Sequence, residues 1–95
     1  MASKKSLLEY LLSLNDKLTA RPMMGEYLLY YLGKYVACLC DDTLYVKNLI
    51  EVKNLLPNST LKSPYDGARP MIVFEEYEDI TKLDLVLQTV YNALK

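Results

Sequence analysis

The sequence predicts a small α+β domain built around an antiparallel meander. Three observations predict it. Short β-patterned runs separated by turn residues crowd into residues 23 to 47, and leucine-rich stripes of helical spacing open and close the chain. A further apolar run stands near residue 72. The 95 residues, 52% of them apolar, are enough for one domain with one modest core.

The first helix begins near Ser6-Leu7-Leu8-Glu9, which has the form of a capping box, and Ser3 offers an alternative cap one turn earlier. Leu7, Leu8, Leu11, Leu12 and Leu14 continue it as one apolar stripe to about Asn15. Arg21-Pro22 turns the chain extended, because proline biases the residue before it away from helix. Residues 23 to 31 form the first predicted strand, 35 to 40 the second and 44 to 47 the third. Leu32-Gly33-Lys34 and Asp41-Asp42 supply the turns between them. Connections this short require antiparallel pairing.

By parity, Met24, Glu26, Leu28 and Tyr30 share one face of the first strand, and Met23, Tyr27, Leu29 and Tyr31 the other. On the second, Val36 and Cys38 oppose Ala37 and Leu39. Both faces are largely apolar, which leaves two readings. Either tyrosine stems pack at a rim with wet hydroxyls, or a tyrosine-rich face is covered by another chain.

Residues 48 to 56 predict a short amphipathic helix closed by Pro57. Residues 63 to 70 are turn-rich, and 71 to 74 read as another strand. Glu75, Glu76, Glu78 and Asp79 lead into a last helix, where negative charge suits the positive end of the helix dipole. That helix shows a clean apolar face through Leu83, Val86, Leu87, Val90, Tyr91 and Leu94.

Several chemistries are excluded or disfavoured. With no histidine, imidazole-based acid–base catalysis is impossible, and the three separated glycines make no phosphate loop. Asp41 and Asp42 are adjacent on a turn, where solvation explains them. Cys38 and Cys40 share a strand face in a poor geometry for a disulfide, and zinc would have to recruit carboxylates. They read as reduced, partly buried side chains, so no metal or cofactor is expected. Along the chain the aromatics alternate with aliphatics and acids, and the net charge is −1, which argues against direct nucleic-acid binding. No apolar run approaches the roughly 20 residues that span a bilayer. Lys4-Lys5 followed by Ser6-Leu7-Leu8 briefly mimics a signal peptide, but Glu9 interrupts it, so the expected location is cytoplasmic.

Arg21-Pro-Met-Met-Gly-Glu-Tyr27, followed by Tyr30-Tyr31, Gly33-Lys34, Asp41-Asp42 and Val46-Lys47, resembles the TfoX/Sxy N-terminal domain family. Pro64-Tyr65-Asp66-Gly67-Ala68-Arg69-Pro70-Met71 is similar to that family's second signature. Thr43 departs from the arginine common in the family, and Asn48 from its proline. The resemblance implies one domain over residues 1–95, a stand-alone form without the helical C-terminal domain of the full-length regulators. It implies a two-layer α+β fold of α-β-β-β-α-β-β-α order, like YgaC and the secretion-chaperone-like folds. It also implies a link to competence regulators that act with the cyclic-AMP receptor protein at promoters. Arg21, Glu26, Asp41, Asp42 and Arg69 occupy polar signature positions, suited to holding turns and strand ends or to lining a partner patch.

The leading expectation is therefore a non-enzymatic protein-interaction adaptor, a homodimer with a transcription regulator as partner. Its partner surface would comprise Tyr27, Tyr31 and Tyr35, with Arg69 nearby. The alternative is a small-molecule binder or enzyme using the 64–70 loop, with Arg69 gripping an anion and Tyr65 packing on it.

Overall fold

The computed structural model describes residues 4–94. Its elements run α1 (Lys5–Leu14), β1 (Leu18–Met23), β2 (Glu26–Tyr31), β3 (Lys34–Cys40), β4 (Thr43–Val46), α2 (Ile50–Leu55), β5 (Leu61–Lys62), β6 (Met71–Val73) and α3 (Ile80–Ala93). The strands form one antiparallel sheet in the order β1-β2-β3-β4-β6-β5.

Three two-residue hairpins build the meander. Met24-Gly25, Leu32-Gly33 and Asp41-Asp42 all have positive φ at both central positions, the signature of type I′ turns whose twist matches that of the strands. The expected order thus gains a strand. What reads as one strand over 23 to 31 is the end of β1, a turn, and β2. Met24 carries no turn signal, and Pro22 disguises β1, which tolerates it as an edge strand.

All three helices bury their apolar sides against one face of the sheet. Leu8 and Leu11 of α1, Val52 of α2, and Leu83, Val86, Leu87 and Val90 of α3 form one core with Leu18, Leu29, Tyr31, Leu39, Leu44, Val46, Ile72 and Phe74. The apolar face predicted for the last helix is the one buried. Asp79 caps α3, its carboxylate accepting from the Lys82 amide at 3.1 Å, and Lys82 Nζ pairs with Glu76 at 2.7 Å. At α1 the capping box is not used. Ser6 lies inside the helix, Lys4 is the N-cap without a side-chain bond, and the alternative cap Ser3 lies outside the described residues. The Lys4 amide instead donates to Asp42 Oδ1 at 2.7 Å, which anchors the start of α1 to the β3–β4 turn.

A β-bulge decides what faces where. The Leu32-Gly33 turn pairs Tyr35 with Tyr30, but Leu29 pairs with Ala37, so Val36 is one residue too many. Val36 and Ala37 both enter the helix-side core, and beyond them the alternation is reversed. Cys38, Cys40 and Tyr45 then lie on the opposite face with Leu28, Tyr35, Met71 and Val73. Among the described residues, no helix contributes to that second cluster.

Candidate functional site

The three tyrosines expected to share a partner surface are divided by the sheet. Tyr31 is core: it is 2% exposed, its hydroxyl donates to Asp84 at 3.4 Å, and its ring meets Tyr91 edge-on. Burial and then the Asp84 carboxylate push its pKa up. Tyr27 packs partly buried against the same core. Tyr35 stands on the helix-free face, because a two-residue hairpin places it opposite Tyr30 rather than beside Tyr31.

The polar positions singled out in the sequence fall into different settings. At one end of the strands, both carboxylate oxygens of Glu26 accept from the Asp41 amide, at 3.1 and 3.2 Å, and Asp42 holds Lys4. These carboxylates serve main-chain donors at the β3–β4 turn and at the start of α1. Arg21 belongs to a different arrangement, a row that crosses the strands on the helix-free face. Its guanidinium lies 5.9 Å from the Tyr30 ring centre, Tyr30 lies 5.9 Å from Tyr35, and Lys47 Nζ lies 4.5 Å from Tyr35. Along each strand the aromatics alternate with aliphatics and acids, yet across the strands they meet cations.

The row ends at a cavity of about 500 Å³ between the end of β4 and the 63–70 loop. Tyr35, Lys47, Asn48, Tyr65, Arg69 and Met71 line it. The loop is held in shape by a turn in which the Ala68 amide donates to the Tyr65 carbonyl at 3.1 Å. Gly67, at φ +85°, supplies the third position of the type II pattern, and Pro64 and Pro70 flank it. No carboxylate among the described residues pairs with Lys47 or Arg69. Two unneutralised cations, an amide and two phenols thus converge on one concavity, in the size range of small-ligand sites.

Beneath the cavity wall lie the thiols. Cys38 Sγ is 3.8 Å from Met71 Sδ and 3.8 Å from Cys40 Sγ. Burial raises the Cys38 pKa and pushes that of Cys40 up to about 12, so both are protonated at neutral pH. Burial, and then the neighbouring Cys38, also raises the pKa of Tyr35. No group of three or more cysteine, aspartate or glutamate side chains among the described residues is placed to hold a metal ion.

Sequence reasoning found Tyr65 and Arg69 but missed Lys47, Asn48 and Met71 as parts of the same site. The signal for Lys47 was present, since alternation from the buried Val46 sends the next side chain to the other face. No helix among the described residues is long and apolar enough to cross a membrane. No model of a known protein family matches the chain, and a search of curated proteins finds no match.

Proposed function

We propose that this domain is a non-enzymatic binding module for a small organic anion, seated in the cavity between β4 and the 63–70 loop. The observation that carries this reading is the pair Lys47 and Arg69, facing one concavity with no carboxylate partner among the described residues. Lys47 is half-buried and Arg69 exposed, and an anion held between them would gain charge-assisted hydrogen bonds to both. Tyr35 and Tyr65 offer phenol rings and hydroxyls to the rest of the ligand. A carboxylate or phosphate ester fits Arg69, whose guanidinium can accept it through two parallel hydrogen bonds.

The test is thermal unfolding in the presence of phosphates, nucleotides and di- and tricarboxylates. Binding to the native state at 100 times Kd stabilises by about 2.7 kcal/mol. At least one anion is expected to raise the Tm of the wild type but not that of Arg69→Ala. An unchanged Tm across the whole panel, or an equal rise in both proteins, refutes the reading.

A second reading draws on the helix-free sheet face. It is the protein-interaction adaptor implied by the resemblance to the TfoX/Sxy N-terminal domain, cytoplasmic and homodimeric, with a transcription regulator as partner. Its support is the sequence resemblance and the row Arg21–Tyr30–Tyr35–Lys47, on the face to which no helix among the described residues contributes. In this reading Tyr35 remains a contact residue and Tyr30 takes the place of Tyr27 and Tyr31.

A further inference from the structure

We infer that the helix-free face of the sheet docks a single strand of nucleic acid. Its phosphates meet Arg21, Lys47, Lys62 and Arg69, and its bases meet Tyr30, Tyr35 and Tyr65. The inference rests on the anion reading for Lys47 and Arg69 and extends it from one anion to a chain of them. Charge is the first argument. The net charge of −1 is unevenly spread. Among the described residues the strands carry one carboxylate, Glu26, and both its oxygens accept from the Asp41 amide. All other acids lie on helices, turns and loops. Four cations stand on the helix-free side. Arg21 lies over Tyr30, Lys47 over Tyr35, and Arg69 lines the cavity. Lys62 pairs with Met71 and so shares its face. Such a face attracts a polyanion.

The aromatics are the second argument, and they separate a nucleic acid from an acidic peptide. Tyr30 and Tyr35 are partners across β2 and β3, with ring centres 5.9 Å apart. Tyr65, 53% exposed, lines the same cavity as Tyr35. Unpaired bases stack on such rings whatever their sequence, and neighbouring cations strengthen the contact. Open sheet faces that carry aromatics hold two or three bases in this way. Along the strands these tyrosines stand among aliphatics, and only pairing across the sheet sets them between Arg21 and Lys47.

Shape is the third, and it favours a single strand over a duplex. All three helices bury their apolar sides against the opposite face of the sheet. Among the described residues, then, no helix stands on the cationic side to enter a major groove, which is how a duplex is most often read. A duplex also keeps its bases in its own stack, out of reach of a tyrosine ring. Phosphate contacts would position the strand, and the rings would hold its bases.

The experiment is fluorescence anisotropy of a labelled oligothymidine of about 12 nucleotides, titrated with the full chain at several salt concentrations. Contact with three or four phosphates predicts a slope of about −2 to −3 for log K against log salt. Arg21→Ala, exposed on the edge strand and outside the cavity, should flatten that slope by about 0.7. Tyr30→Leu, checked for folding by circular dichroism, should weaken binding at least about fivefold, the loss of one stacked base. Lys53→Ala, exposed on α2 and so on the other side of the sheet, should leave binding unchanged. Absence of binding at about 50 mM salt, or equal affinity for a duplex of the same length, overturns the inference. So does displacement by polyglutamate as effective as by unlabelled oligothymidine, or an unchanged affinity in both Arg21→Ala and Tyr30→Leu. Arg21 and Tyr30 do not line the cavity, so a small anion that raises the Tm while the oligonucleotide fails to bind overturns this inference and leaves the anion reading standing.

Discussion

The two ends of the sheet put their charges to opposite uses. At the end of the β1–β2 and β3–β4 turns, Glu26 and Asp42 spend their negative charge on the amides of Asp41 and Lys4. At the other end, Lys47 and Arg69 face a cavity without a carboxylate. Charge that is satisfied internally holds turns together, and charge left facing a concavity is available to a ligand. Standing in a run that resembles a family signature does not distinguish the two, since Glu26 and Arg69 both do. Only the partners do.

The contrast can be broken by substitution. Glu26→Gln removes the charged acceptor of the Asp41 amide, a hydrogen bond worth about 1.5–3 kcal/mol in buried settings and about 1 kcal/mol at this half-exposed site. Urea denaturation should register that loss, whereas Arg69→Ala should change unliganded stability by less than about 0.5 kcal/mol. Equal losses would erase the distinction between the ends.

A smaller effect is expected at Leu32, which holds φ +52° in the turn nearest the cavity. The left-handed region costs an ordinary residue roughly 1 kcal/mol, and asparagine tolerates it. Leu32→Asn should therefore raise the urea midpoint, by a free energy of about 0.5–1 kcal/mol. A lowered midpoint would mean that the half-exposed leucine contributes packing that outweighs its strain.

The smallest effect is one of pH. The pKa of Tyr31 is raised in the folded state, chiefly by burial and then by Asp84, so the folded protein keeps that proton when the unfolded chain has lost it. Its contribution is full below the ordinary phenol pKa of about 10 and is lost as pH rises above it. Tyr31→Phe should flatten part of the stability decline measured above pH 10, and an unchanged slope would assign that decline to other phenols.

The sequence made the helices and turns legible where local chemistry is strong. The period of Leu83, Val86, Leu87 and Val90 predicted the buried side of α3, and Gly33 and Asp41-Asp42 marked two of the three hairpins. Met24-Gly25 escaped, although Gly25 stands as Gly33 does, because the aromatic and aliphatic residues around it read as one continuous strand, and β5 was expected only from the order that the resemblance implies, since two residues carry no periodicity. The faces of β3 could not be read in full. The extra residue at Val36 is visible only in the pairing of Leu29 with Ala37, and it alone brings Cys38 and Cys40 to the side of Tyr35. The cavity was half legible, since a turn-rich loop with Tyr65 and Arg69 announces itself, but the strand end it closes against depends on the order of β4 and β6.

That strand order also has a kinetic side. The first four strands are joined by turns of two residues each, whereas 24 residues, from 47 to 70, separate β4 from β6. The entropy of closing a loop grows with the logarithm of its length, which puts the later pairing at a disadvantage of roughly 2 kcal/mol before any contact is made. Pairings of low sequence separation form fastest. The meander is thus able to assemble early, while Lys47, at the end of β4, gains Tyr65, Arg69 and Met71 as neighbours only when β6 arrives. The cavity comes into being with the last strand, so a molecule that fills it recognises the finished fold.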